Sequence, residues 1–200
     1  MNYLAHLYLA GGDDEARLGN FLGDFVKGTL DRQRDRYSAA VLDGIACHRA
    51  IDRFTDDHAV YRRSCGRLDQ RVRRVAGIAI DLAYDHLLIQ HWSQFSDQPF
   101  RAFVRDAYAL LDRHAALLPP RLQQALPFIL AQDWLGSYAT WNGVEVALIR
   151  VSRRMKRSDL LAEVWPSLSL CREELSADFL EFFPQVMTFV AARSTANSNN

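Results

Sequence analysis

Three cysteines in 200 residues, Cys47, Cys65 and Cys171, are odd in number and widely spaced, and no CxxC pair occurs. A disulfide framework and a thiolate metal site are therefore excluded, and the usage fits a reducing cytosol. No stretch approaches the ~20 apolar residues of a membrane span. The opening MNYLAHLYLAGG has no basic region before its short apolar run, which His6 interrupts, so it does not read as a secretory signal. Charge of one sign is lacking too. The 24 basic side chains balance 24 acidic ones, which removes the global field that nucleic-acid binding uses. GxGxxG, Walker A and GxSxG patterns are absent, as are internal repeats. Strand alternation between turn dipeptides is nearly absent.

Helical periodicity fills the chain instead. With 49% hydrophobic and 24% charged residues, a chain of this length can bury a full core without staples. The spacing predicts helices over roughly 2–10, 13–28, 37–55, 59–74, 75–92, 99–118, 121–134, 142–155 and 167 into the 190s. Gly11-Gly12 and Pro119-Pro120 act as stops, and Asn142 with Glu145 forms a capping box. The expectation is an all-α, single-domain helical bundle over residues 1–193, with the polar tail from Ser194 frayed.

Several inward helical stripes carry the wrong chemistry for a core. Positions four apart share a face. One stripe reads Val41, Ile45, His48, Asp52; another reads Ile78, Asp81, Asp85, Leu88. Asp24 shares a side with Phe21 and Gly28, and His6 lies near Tyr3 and Leu9. A buried unpaired carboxylate neutralises, pairs with a cation or binds metal. Four helices offering His or Asp inward is how a bundle builds a metal site. Histidine with carboxylates and no thiolate suits Mn²⁺, Fe²⁺, Mg²⁺ or Zn²⁺ at a hydrolytic centre. The bland alternative pairs each carboxylate with an arginine. His86 lies about 100° around its helix from Asp85, so it either orients a carboxylate, moves a proton, or packs as a core imidazole.

Basic residues cluster twice. Arg62, Arg63, Arg67, Arg71, Arg73 and Arg74 lie within thirteen residues; Arg150, Arg153, Arg154, Lys156 and Arg157 lie within eight. Each run is either a solvated face or a docking surface for an acidic partner. Interleaved aromatics that would stack bases are missing, which disfavours single-stranded nucleic acid.

The blocks MNYLAHLYLA, GNFLGDFVKG, GIACHRAIDRFTD and AIDLAYDHLLIQHW, in that order over nearly the first half of the chain, resemble the acyl carrier protein phosphodiesterase family. The resemblance implies a divergent HD-type metal phosphohydrolase fold. It implies a cytoplasmic, Mn²⁺-dependent enzyme that hydrolyses the phosphodiester joining 4′-phosphopantetheine to a serine of holo-acyl carrier protein. It places Asp24, His48, Asp52, Asp85 and His6 as metal ligands, with Asp81 and His86 in catalytic roles. An acidic carrier protein gives the arginine clusters, including Arg153 and Arg154, a reason to exist. The rival readings are an HD-type phosphohydrolase acting on nucleotides and a non-catalytic helical interaction module. The oligomeric state is not legible.

Overall fold

Glycines, prolines and short polar caps cut the helical pattern into twelve α-helices among the described residues of a computed structural model, which covers residues 1–11, 13–153 and 158–198. They are α1 (Tyr3–Leu9), α2 (Asp14–Leu22), α3 (Ala39–Asp57), α4 (Ala59–Arg67), α5 (Ala76–Gln90), α6 (Trp92–Phe95), α7 (Phe100–Arg113), α8 (Pro120–Ala131), α9 (Trp134–Ser137), α10 (Trp141–Ser152), α11 (Ser158–Leu170) and α12 (Arg172–Ser198). Three 3₁₀ segments, Leu30–Gln33, Gln70–Val75 and Ala115–Leu117, join them, and no strand occurs among the described residues. The protein is all-α. No helix among those residues is long and apolar enough to cross a membrane.

Local chemistry explains where the boundaries depart from periodicity. Asp13 caps α2 by accepting the Ala16 N–H at 2.7 Å, but α2 ends at Leu22 rather than near Gly28. The chain turns at Gly23, so Asp24 leaves a turn instead of a helix face. Gly28, with φ 87°, takes a left-handed conformation that suits glycine. The expected helix over 59–74 breaks at Leu68, whose extended backbone lets Asp69 cap a 3₁₀ segment through the Arg71 N–H. Thr140, not Asn142, caps α10, because its Oγ1 accepts the Gly143 N–H at 3.0 Å. The last predicted helix, from 167, is interrupted at Cys171, and α11 begins at Ser158, ahead of the predicted range.

The chain forms two compact units, interleaved in sequence. The first comprises Tyr3–Asp52 and Trp92–Gly136. Its core includes Leu4, Leu7, Leu18, Leu22, Val41 and Ile45, all solvent-free, with Phe103, Leu110 and Leu111 from α7. Helices α2 and α3 meet at two glycines. A Cβ on Gly19 would lie 2.0 Å from the Val41 carbonyl oxygen, and one on Gly44 would lie 2.3 Å from that of Ala16. Any side chain at either position would push the helices apart.

The second unit comprises Met1–Asn2, Arg53–His91 and the chain from Ser137. Helix α5 packs on α4, α10, α11 and α12, around the buried rings of Tyr84, Phe179, Phe182 and Phe183. Its polar node is Asp178 of α12, 1% exposed. Arg67 grips that carboxylate twice, Nε to Oδ2 at 2.7 Å and Nη2 to Oδ1 at 2.9 Å. Arg63 Nε and the Ser64 hydroxyl each donate to it at 2.8 Å. Ser64 having spent its hydrogen there, the Tyr84 hydroxyl donates to Ser64 Oγ at 2.8 Å. The buried charge is thus fully satisfied.

Candidate metal centre

Four side chains predicted as ligands converge within the first unit. His6 comes from α1, His48 and Asp52 stand one turn apart on α3, and Asp24 follows α2. The His6 and His48 rings stack, with centroids 3.8 Å apart and planes inclined by 21°. Both rings are buried, whereas the Asp24 and Asp52 side chains are 47% and 37% exposed, so the carboxylates form the open side. His6 Nε2 lies 3.1 Å from Asp52 Oδ1, and His48 Nε2 lies 3.0 Å from Asp52 Oδ2 and 3.5 Å from Asp24 Oδ1. One ligand atom from each of His6, His48 and Asp52 falls within 4.8 Å of the other two.

The far nitrogens of both rings are fixed by one residue. His6 Nδ1 lies 2.9 Å from Asn20 Oδ1, and His48 Nδ1 lies 2.7 Å from the Asn20 main-chain oxygen. Oxygen acceptors at both places put the hydrogen on Nδ1 of each ring. In a neutral ring the Nε2 lone pair then faces a carboxylate oxygen. That arrangement is repulsive unless a proton or a cation lies between. Two stacked rings cannot both protonate without repelling each other. The donor set therefore fits a divalent cation, with the nitrogen and carboxylate ligands that hydrolytic metals use.

Electrostatics agree. Burial pushes His6 below its ordinary pKa, against the pull of the Asp52 carboxylate, which would accept a hydrogen bond from the charged ring, and the adjacent His48 lowers it further. Burial also opposes the charged form of His48, but hydrogen bonds to Asp24 and Asp52 outweigh it and raise His48 to about 9. Burial works to raise both carboxyls, yet His48 beside Asp24, and His48 with His6 beside Asp52, hold them below the ordinary range. Two carboxylates thus remain ionised beside the two rings, a negative cluster that suits a cation.

The turn that carries Asp24 is fastened to α3. Arg49 donates to the Val26 carbonyl at 2.9 Å, and the Phe25 amide returns to the Leu22 carbonyl at 2.9 Å. The Phe25 ring stacks on Tyr3 at 5.7 Å. Gly23 leaves room for the His48 ring, since a Cβ there would lie 2.1 Å from its Cγ.

The other predicted site residues belong to the second unit. Asp81 accepts the Tyr61 hydroxyl at 2.8 Å and pairs with the Met1 ammonium at 3.1 Å. The buried Asp85 accepts the Asn2 amide at 2.9 Å. His86 donates from Nδ1 to the Tyr138 carbonyl at 2.8 Å and packs edge-on against Trp141, with its Nε2 3.5 Å from Arg172. Its neighbours are thus a carbonyl, an arginine and an indole, the surroundings of a packed imidazole rather than of one that orients a carboxylate. Of the arginines, Arg62 pairs with Asp57, Arg71 with Asp69, and Arg63 and Arg67 with Asp178. Arg73 and Arg74 are exposed and make no ion pair among the described residues; Arg153 is exposed, and Arg154 lies outside those residues. Cys47, Cys65 and Cys171 form no disulfide among the described residues.

Sequence reasoning passed over Asn20, Gly23 and Arg49. A detectable signal for Asn20 is its place inside the apolar run LGNFL, four residues before Asp24.

A family model described as acyl carrier protein phosphodiesterase matches residues 1–186. A protein of Klebsiella pneumoniae (strain 342), named acyl carrier protein phosphodiesterase, is 36% identical over 188 residues, 94% of this chain and 96% of that protein. One of Salmonella agona (strain SL483), with the same name, is 34% identical over 195 residues, 97% of this chain and all of its own length. No solved structure matches.

Proposed function

We propose, since this chain belongs to the acyl carrier protein phosphodiesterase family, that it hydrolyses the phosphodiester between 4′-phosphopantetheine and the serine of holo-acyl carrier protein, and that the cluster in its first unit is the metal centre for that step. The products are apo-carrier protein and 4′-phosphopantetheine. The observation that carries the reading is the convergence of His6 Nε2, His48 Nε2 and Asp52 on one point, with Asp24 beside it.

His6, His48, Asp52 and Asp24 would hold the ion, with Mn²⁺ the first choice for this nitrogen and carboxylate set and Mg²⁺, Fe²⁺ and Zn²⁺ its competitors. Bound there, a divalent ion would neutralise phosphoryl oxygens and acidify a water ligand. The protein's own part is to hold two imidazoles at fixed orientation from the buried side. It leaves two carboxylates on the open side, where a phosphodiester and water have access. Asp52, with one carboxylate oxygen 3.1 Å from His6 Nε2 and the other 3.0 Å from His48 Nε2, completes the set from the open side. Asp85 as a further ligand, and Asp81 and His86 in catalytic roles, rest on the family motif. Three widely spaced cysteines with no disulfide among the described residues fit a reducing, cytoplasmic setting.

The test is turnover of purified holo-carrier protein, followed by mass. Chelation should abolish it and Mn²⁺ should restore it, while nucleotides are not hydrolysed. Asp24→Ala and His48→Ala should lose at least ~100-fold in rate, a barrier increase of about 2.7 kcal/mol, and stay folded. Full activity in demonstrably metal-free protein would overturn the metal reading. Nucleotide turnover without carrier-protein turnover would overturn the substrate.

A further inference from the structure

We infer that Asn20 is the positioning residue of the centre, holding His6 through its side chain and His48 through its main chain, so that both Nε2 lone pairs meet at the ion. The inference rests on the metal reading above.

Asn20 is 1% exposed and sits where α2 crosses α3, directly after Gly19. Its Oδ1 lies 2.9 Å from His6 Nδ1, and its carbonyl oxygen lies 2.7 Å from His48 Nδ1. The amide Nδ2 is buried with no hydrogen-bond partner. An apolar side chain branched in the same way would leave no orphaned donor, so the amide is not there for packing alone. What the amide supplies is an oxygen facing Nδ1 of His6. Without it, a neutral His6 is free to move its hydrogen to Nε2 and donate it to Asp52 at 3.1 Å. That tautomer carries its lone pair on Nδ1, away from the carboxylates, and offers none at Nε2 for a metal. His48 is protected from the same fate by a main-chain oxygen, which no substitution at position 20 removes. The glycine contact between α2 and α3 is what brings that oxygen to α3.

The two rings should therefore respond differently to substitution. In metal-free protein labelled with ¹⁵N-histidine, at a pH where His6 is neutral, long-range ¹⁵N–¹H spectra should show the His6 hydrogen on Nδ1. Asn20→Leu should move it toward Nε2 and leave His48 unchanged. Asn20→Asp retains an oxygen acceptor and should keep the wild-type His6 pattern. Mn²⁺ affinity, read by electron paramagnetic resonance of the free ion, should fall roughly tenfold to a hundredfold in Asn20→Leu, as expected for loss of a ligand's outer partner. It should recover largely in Asn20→Asp. In a His6→Ala background, Asn20→Leu should cause no further loss.

A wild-type His6 with its hydrogen on Nε2 would overturn the inference, even if Asn20→Leu failed to fold. So would losses that multiply in the double variant. The spectra need no metal, so a wild-type protein that binds no Mn²⁺ would defeat the metal reading while the spectra still decide the role of Asn20.

Discussion

At the scale of single residues, the centre depends on side chains that are small or absent as much as on its ligands. Gly23 has φ −52° and ψ −38°, a right-handed conformation that alanine adopts without strain. Only space forbids a larger residue there, because a Cβ would lie 2.1 to 2.6 Å from atoms of the His48 side chain. Gly23→Ala should therefore displace the His48 ring and leave the backbone intact. Activity should fall about 100-fold, as small misplacements at a reacting centre do. The melting temperature of the metal-free protein should change little. Rates and melting curves on the same sample check this, and near wild-type turnover would mean the ring has room to move. Asn20 belongs to the same scale. A buried amide in an apolar run is visible in sequence, but the two rings it serves are 14 and 28 positions away. No local pattern joins them.

At the scale of helices, α4 and α12 show what becomes of charge that looks superficial in sequence. Arg63 and Arg67 stand four apart on α4 and both reach Asp178 on α12. Burial works to raise the Asp178 carboxyl, but hydrogen bonds from Arg67, Ser64 and Arg63 outweigh it and leave it below its ordinary 3.8. A carboxyl whose folded pKa is depressed adds stability that is present above its unfolded pKa and is lost as pH falls through the folded value. Asp178→Asn should cost about 2 kcal/mol near neutral pH, since both arginines are partly exposed and regain water. The difference in melting temperature between wild type and variant should shrink as pH falls below about 4. A constant difference down to the lowest pH would mean that the charge of Asp178 contributes nothing. The signal in sequence was present: an aspartate three residues after Leu175 and four before Phe182, on the face α12 buries. Without knowledge of the facing helix, it reads like any other acid.

At the scale of the whole molecule, net charge is zero, so any attraction for an acidic carrier protein must be local. Much of the Arg62–Arg74 run is committed to Asp57, Asp69, Asp178 and Glu181, which concentrates the docking proposal on Arg73 and Arg74. The scissile bond lies at the root of the pantetheine arm, beside the carrier's own surface, so enzyme and carrier must touch there. Arg73→Glu with Arg74→Glu should raise KM for holo-carrier protein and flatten its dependence on salt, because exposed charges are screened within about 8 Å at physiological ionic strength. kcat should move little, and a small phosphodiester should be cleaved as before. An unchanged KM and salt response would place recognition elsewhere. The sequence by itself determined the all-α class, the family, and four of the residues that gather at the candidate centre. Those follow from periodicity, composition and short motifs, which are local along the chain. Tertiary structure alone decided that Asp24 leaves a turn, that one asparagine holds both imidazoles, and that Arg63 and Arg67 serve a buried carboxylate. Each is set by close approach between segments far apart in sequence, at glycines where α2 meets α3 and at a side-chain network where α4 meets α12, and periodicity carries no information about which faces will touch.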